Sequence, residues 1–555
     1  MRVADIIVEI LYKEGITHVF GVPGEQVLAL VDAFYDSPIK FITTRHESGA
    51  GFMAEAYGKA TGKPAVCLAS AGVGATNLSL AIHTAKQDST PLIAIIGQIK
   101  SMFRGREAWQ EIDLESFFSP LAKWAIEIQE EKQIPEIIIQ AIHTAKIGRP
   151  GPVVIAIPAD ILEKSGRFML PEQSKINKPG LSLHEIKEII HLINKSKKPL
   201  ILAGGGVAFS DARDELLKFS ELSGIPVMTS FRRHDIFPND HPHYLGNSGV
   251  GIFTEIVESL KEADLILAIG TRLSQITTQQ YTLPRPEQLI VHIDIDPQII
   301  ANACRGNYRG YISDAKLALN DLLDHVSLLN QIQNNKTWAL ERRKIFELAL
   351  SKRRERALSL NQSDLTMEKI IEDLSAILPE NAVLTSDAGS FYSWLINYYH
   401  FRKNQRYLGP TSGAMGYGLP AAIAAKLVFP DRPVVSLSGD GGFMMTMQEF
   451  ETAVRYHVPI ISIVFNNNAY GATRLHQEIL YPGRVIGSEL TNPPFDQLAN
   501  ILGGIGYKAN SNSEFKKTLS NALQEKNKPV LIEVPLDPHI LSASKILYED
   551  QLLNI

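Results

Sequence analysis

The stretch Pro433–Asn468, PVVSLSGDGGFMMTMQEFETAVRYHVPIISIVFNNN, decides the fold. Pro433 to Ser438 is a short apolar run of strand length, closed by Gly439-Asp440-Gly441-Gly442. A helical stretch follows, then a second apolar run from Pro459 to Phe465, then Asn466-Asn467-Asn468. The pattern predicts a strand–helix–strand unit. Asp440 and Asn467 fall at the carboxyl ends of its two strands, where open parallel sheets bind ligands. The glycines let the backbone approach a phosphate closely. An Asp and an Asn offer hard oxygens, which suit a Mg²⁺ ion that must also hold phosphate oxygens. Each half alone is ordinary: Gly-Asp-Gly is a common turn, and Asn-Asn is common loop chemistry. Joined by one βαβ unit they read as a magnesium–diphosphate clamp.

The same pattern occurs earlier in the chain. Pro64–Gln98 aligns with Pro433–Asn467 without a gap, with strand, glycine turn, helix and strand in step. Ala71 stands where the later copy has Asp440, and Gln98 where it has Asn467. One copy keeps the metal chemistry and the other lacks it. Duplication and chance βαβ similarity both account for the match.

The chain has 555 residues, enough for about three or four domains. Apolar residues make up 45 %, which supports large packed cores. A net charge of −5 gives no nucleic-acid footprint. The two cysteines, Cys67 and Cys304, form no metal or redox motif, and Cys67 lies in an apolar strand pattern that predicts a buried thiol. The first residues, MRVADIIVEILYKEG, read as an amphipathic helix rather than a signal peptide. No apolar run approaches the roughly 18 residues of a membrane span, so a cytoplasmic protein with no membrane or nucleic-acid partner is expected.

Three α/β blocks are expected, each a doubly wound parallel sheet. Residues 1–165 hold strand candidates His18–Val22, Lys40–Thr44, Pro64–Ala69, Pro91–Gly97 and Pro152–Pro158. A polar, proline-bearing linker spans 166–184. Residues 185–330 hold Pro199–Ala203, Ala263–Ile269 and Leu289–Ile295. A charge-rich helix within 326–364 connects to the third block, 365–540, whose last strand is Pro529–Val534. The tail, 541–555, has Leu and Ile spacing that allows a short helix, packed down or acting as a lid.

A second motif lies nearly 400 residues before the clamp. Arg45-His46-Glu47 follows the strand ending at Thr44 and opens a helix of small residues. Read alone, Glu47 is either a first-turn glutamate favouring the helix dipole or a catalytic acid. The segment, with Ala54-Glu55-Ala56-Tyr57-Gly58 and Gly72-Val73-Gly74-Ala75-Thr76-Asn77, resembles the thiamine diphosphate-dependent acetolactate synthase and pyruvate oxidase superfamily. The Asp440…Asn467 spacing resembles the same family's cofactor motif, and the likeness covers nearly the whole chain.

The resemblance implies three domains: pyrimidine-binding (1–165), central (185–330) and diphosphate-binding (365–540). It implies thiamine diphosphate and Mg²⁺ as cofactors. Glu47 would be the acid against the pyrimidine ring. Asp440, Asn467 and the carbonyl of Ala469 would be the metal ligands. Gly439, Gly441 and Gly442, with Tyr470 and Gly471, would line the diphosphate. Gly413 would accept the aminopyrimidine N–H through its carbonyl, and Met415 would prop the cofactor in its bent shape. Gly389, Ser390 and Phe391 would form the other diphosphate loop, where many synthases place Gln-His. In the family, acid and clamp come from two subunits, so a homodimer or homotetramer is implied. A regulatory small subunit is not readable.

The reaction is less determined. Gln110 is either the polar residue reaching the substrate side of the thiazolium or a surface glutamine. Gly148-Arg149-Pro150-Gly151-Pro152 and Gly204-Gly205-Gly206 favour an acetolactate synthase-like enzyme acting on 2-keto acids. Ala159 stands where many biosynthetic synthases carry lysine, and Ala472 and His476 where they carry methionine and tryptophan. That tryptophan helps select the second keto acid. His476 is either an acid/base group in the pocket or a surface residue. The alternative reading is a related lyase or simple decarboxylase acting on another keto acid or acyloin. A non-catalytic cofactor-binding homologue is a third. The central block resembles a family domain that binds FAD in some members and nothing in others.

Overall fold

The computed structural model describes residues 1–169, 176–304, 306–360, 364–548 and 551–554. It contains three six-stranded sheets, all parallel. The first comprises β1 (His18–Gly21), β2 (Lys40–Thr43), β3 (Ala65–Ser70), β4 (Leu92–Gln98), β5 (Trp124–Glu127) and β6 (Pro152–Pro158), in the order 2-1-3-4-6-5. The second comprises β7 (Pro199–Ala203), β8 (Val227–Ser230), β9 (Tyr244–Ser248), β10 (Leu265–Ile269), β11 (Leu289–Asp294) and β12 (Tyr308–Ile312), in the order 9-8-7-10-11-12. The third comprises β13 (Val383–Ser386), β14 (Arg406–Leu408), β15 (Val434–Gly439), β16 (Ile461–Asn466), β17 (Ile505–Lys508) and β18 (Val530–Pro535), in the order 14-13-15-16-18-17.

Central strands are apolar on both faces because helices cover both sides of each sheet. Every residue of β4 and of β6 is buried. The first and third sheets share one strand order, and their gap-free segments coincide element by element. Ser70 ends β3 and Gly439 ends β15, and each is followed by a seven-residue helix, Ala71–Asn77 or Asp440–Thr446. The middle sheet instead has the strand order of dinucleotide-binding folds.

The expected strands are present within one or two residues, but seven strands of the three sheets carried no clear signal. They are β5, β8, β9, β12, β13, β14 and β17, which are short and mostly lie toward sheet edges. The connecting helix spans Ile332–Leu360. The linker reading at 166–184 falls partly on 170–175, outside the described residues; the next helix opens at Ser182 with a capping box to Glu185. The tail corrects the sequence reading. It forms a three-stranded antiparallel sheet, β19 (Ile540–Ser542), β20 (Lys545–Tyr548) and β21 (Gln551–Asn554), where a helix was expected. Its short apolar runs suit a meander as well as a single helical turn. Ala543 N–H donates to Ser393 Oγ at 2.9 Å, which ties the tail to the helix Tyr392–Tyr398. Cys67 is buried in β3, and burial pushes its thiol up to about 12. Among the described residues no helix is long and apolar enough to cross a membrane.

The first and third sheets are joined by packed helices. Glu47–Thr61 lies on Gly418–Val428, and the two share one core with Phe52, Ala54, Tyr417, Ala421 and Ala425. Small residues permit the close approach. A Cβ on Gly58 would sit 2.5 Å from the Pro91 carbonyl oxygen, and one on Gly49 would sit 2.5 Å from Glu449 Oε1.

Candidate active site

Glu47 is the first residue of the helix Glu47–Thr61. His46 caps it: its Nδ1 accepts the Ser48 N–H at 3.2 Å. The strand β2 and the cap together aim the half-buried Glu47 carboxylate at the helix Ala71–Asn77. Asn77 Nδ2 donates to Glu47 Oε2 at 2.9 Å. A Cβ on Gly74 would lie 3.0 Å from Glu47 Oε1, so the glycine leaves room for the carboxylate. Gln110 joins this half through its backbone. Its carbonyl accepts the Gly72 N–H at 3.0 Å, and its φ of +66° places it in the left-handed region.

The clamp assembles at the carboxyl ends of β15 and β16, which pair with Gly439 opposite Phe465. Asp440 is buried and opens its helix, where a negative charge is favoured. Its Oδ2 accepts the Ala469 N–H at 3.2 Å and Asn492 Nδ2 at 2.7 Å. Asn492 also donates to Asn466 Oδ1 at 3.0 Å and Asn468 Oδ1 at 3.2 Å, so one amide organises the whole turn. Burial raises the Asp440 carboxyl above its ordinary value, and among the described residues no cationic side chain pairs with it. A divalent ion would supply that missing charge. Asn467 and Ser390 both border Gly471: a Cβ there would lie 3.0 Å from Asn467 Nδ2 and 2.7 Å from Ser390 Oγ. Gly441 lies against the Tyr470 ring in the same way, at 2.5 Å. Phe391 packs on Phe465, with ring centroids 5.3 Å apart, and thereby places the Gly389–Ser390 loop beside Gly439.

The loop before Gly418 completes this half. Gly413 is exposed with φ +77°, and Met415 is half-buried. Asp387 underlies the loop. Its Oδ1 accepts the Gly418 N–H at 2.5 Å, while its fully buried Oδ2 has no hydrogen-bond partner among the described residues. Burial pushes its carboxyl up to about 6. A Cβ on Gly442 would lie 2.4 Å from this Oδ2, so the Gly441-Gly442 turn sits directly on the acid.

The structure therefore gathers Asp440, Asn467, Ala469, Tyr470, Gly471, Gly389, Ser390 and Phe391 into one half-site. Glu47 and Gln110 lie in the other. Among the described residues no hydrogen bond joins the two halves. His476 is exposed on the helix Gly471–Leu480. Asn492 and Asp387 carried no sequence signal of their own, and Asn77 was read only as the end of the Gly72–Asn77 motif, with no role attached. Asn492 lies in a Thr-Asn-Pro-Pro loop whose spacing from the clamp is not periodic.

Three family models match the chain. The thiamine pyrophosphate enzyme N-terminal TPP-binding domain covers residues 1–117, the central domain 186–322, and the C-terminal TPP-binding domain 387–534. A probable acetolactate synthase large subunit of Methanocaldococcus jannaschii is 35 % identical over 97 % of this chain and 92 % of its own. The acetolactate synthase large subunit of Buchnera aphidicola subsp. Schizaphis graminum is 33 % identical over 96 % of this chain and 94 % of its own. That of Corynebacterium glutamicum is 33 % identical over 96 % and 86 %. By these matches the chain belongs to the thiamine pyrophosphate enzyme family, as an enzyme that forms carbon–carbon bonds and resembles the acetolactate synthase large subunit.

Proposed function

We propose that the enzyme decarboxylates one pyruvate and joins the remaining two-carbon unit to a second, giving acetolactate and CO2. The supporting observation is Asp440, a buried carboxylate with no cationic partner among the described residues, which with Asn467 follows the ends of two paired strands. Asp440, the Asn467 side-chain oxygen and the Ala469 carbonyl would hold Mg²⁺. Gly441 and Gly442 would offer backbone N–H groups to the diphosphate, with Gly389 and Ser390 opposite. Gly413 would take the aminopyrimidine N–H, and Met415 would support the ring. Thiamine diphosphate, when bound, supplies the electron sink for decarboxylation and bond formation. Glu47 would hold a proton against the pyrimidine ring, with Asn77 fixing its carboxylate. Gln110 would orient the substrate. His476, exposed, receives no role.

A homodimer would unite the two halves, the acid from one subunit and the clamp from the other. Val73, beside Glu47, is 62 % exposed, Trp109, beside Gln110, is 73 % exposed, and Met445, on the clamp helix, is 46 % exposed. Apolar residues so placed at both halves suit a covering subunit. The designation of relatives as large subunits supports a smaller regulatory partner. We assign pyrimidine binding to residues 1–165, the central domain to 185–330 and diphosphate binding to 365–540.

We assign FAD to the middle domain. A cavity of about 1370 Å³ lies beside Gly205, Gly206 and Gly270, with Arg149 and Arg272 in its wall. Burial lowers both guanidinium groups, Arg272 to about 10, and neither forms an ion pair among the described residues. Two unneutralised cations beside a glycine turn suit a dinucleotide's diphosphate.

Turnover of pyruvate with thiamine diphosphate and Mg²⁺, with and without FAD, tests these assignments by NMR of the products. Acetolactate is expected. Free acetaldehyde alone, or cleavage of an added acyloin with pyruvate untouched, would establish the decarboxylase or lyase reading instead.

A further inference from the structure

Five charged or phenolic groups are buried where the three sheets meet, outside the thiamine contacts described above, with Asp88 and Arg233 also in the wall of the cavity assigned to FAD. Asp88, at the end of the helix Ser79–Asp88, is their hub. Its Oδ2 accepts Lys59 Nζ at 3.0 Å, and its Oδ1 accepts Arg233 Nη2 at 3.1 Å. Its carboxylate also accepts the Thr411 N–H at 3.1 Å. Lys59 in turn reaches Glu55 Oε1 at 3.0 Å, the Gly409 carbonyl at 3.1 Å and Tyr417 Oη at 3.2 Å. These partners belong to two elements of the chain that serve the two thiamine sites of the homodimer proposed above. Glu55 and Lys59 lie on the helix that starts at Glu47. Gly409, Thr411 and Tyr417 bracket the loop that carries Gly413 and Met415.

Arg233 comes from the middle domain, from the loop after β8. It is the neighbour of Arg232, whose Nη2 donates to the Asp387 carbonyl at 3.1 Å and whose Nη1 donates to Ser386 Oγ at 3.1 Å. Two consecutive buried arginines therefore reach opposite ways. One grips Asp88 in the first domain, and the other grips the strand end that leads to Gly389 in the third. Arg233 also lies against Gly205. The three atoms nearest a Cβ built on Gly205 all belong to its guanidinium, with Nε at 2.8 Å. Only a residue without a side chain leaves the arginine in this place.

We propose that Arg233 and Asp88 are positioning residues for thiamine diphosphate, through which the middle domain fixes the Gly413–Met415 loop of one site to the helix that presents Glu47 to the dimer-related site. Neither touches the cofactor. Their effect passes through Thr411, Gly409 and Lys59. Mutations at such remote contacts shift coupling modestly, so the expected changes are several-fold rather than total.

The proposal rests on the thiamine site assigned above, and calorimetric titration of cofactor-free protein with thiamine diphosphate at saturating Mg²⁺ tests both. Replacing Asp88→Leu together with Arg233→Met removes both charges, which avoids leaving either one buried and unpaired. That variant should bind the cofactor about fivefold or more weakly. Gly205→Ala should weaken it about threefold by displacing the guanidinium, although Gly205 belongs to neither thiamine-binding domain. Arg233→Lys, which keeps the charge, should lie between wild type and the double variant. A purely structural role would lower the melting temperature and leave the dissociation constant unchanged. Wild-type affinity in folded Gly205→Ala and in either Arg233 variant would overturn the proposal. Asp440→Ala reports on the site itself. Binding retained there overturns the site assignment, whereas binding lost there and retained in the Arg233 variants overturns only the positioning role.

Discussion

Two carboxyl groups divide the chemistry at the residue scale. Among the described residues Glu47 has one hydrogen-bond donor, Asn77, and a glycine wall at Gly74, which together fix its position. Glu47→Gln keeps the shape and loses the exchangeable proton. Turnover should fall at least about a hundredfold with thiamine diphosphate affinity kept, as read by paired kinetics and calorimetry. Asp387 is a different case. Burial holds its carboxyl near 6, against an ordinary 3.8. Between these values the folded protein keeps a proton that the unfolded chain has released. The stability from that proton is present below about pH 4 and is lost as pH rises through 6, roughly 3 kcal/mol at the limit. Asp387→Asn removes the titration, so its melting temperature should gain on wild type as pH climbs from 4 to above 6. A difference constant across that range would refute the assignment. Asp440 and Asn467 were legible in sequence because the motif states their chemistry. Asn492, which organises the same turn, was not, because a lone loop asparagine looks the same whether or not it is bound.

At the scale of elements, the βαβ units were readable because buried parallel strands are apolar throughout. β4 and β6 need no alternation to be recognised. Edge strands such as β14, three residues long, and β17, with no buried residue, lack that signal. The tail was misread for a related reason: a few Leu and Ile residues fit a helical turn and a short meander equally. What no pattern revealed was the seam between the helices Glu47–Thr61 and Gly418–Val428. Tyr417 Oη donates to Glu55 Oε2 there at 2.6 Å, inside a core with no water-facing side. Tyr417→Phe strips a buried carboxylate of a donor and should destabilise by about 1–3 kcal/mol. A thermal midpoint equal to that of wild type would show that the seam relaxes around the loss.

On the scale of the whole molecule, the first and third sheets are the same construction used twice. β3 with its helix holds Ala71 where β15 with its helix holds Asp440. In the proposed assignment one copy would receive the pyrimidine end of the cofactor, and the other its diphosphate. The middle sheet, with a different strand order, contacts both through Arg232 and Arg233. Under the pairing proposed above, a single chain lacks a complete site. Co-expression of a Glu47→Gln chain with an Asp440→Ala chain, each separately tagged and the mixed dimer purified through both tags, measures this directly. Each mixed dimer would carry one site with both changes and one with neither. Acetolactate formation should therefore return to about half the wild-type rate per dimer, while either variant alone stays inactive. A mixed dimer as inactive as its parents would contradict the shared site.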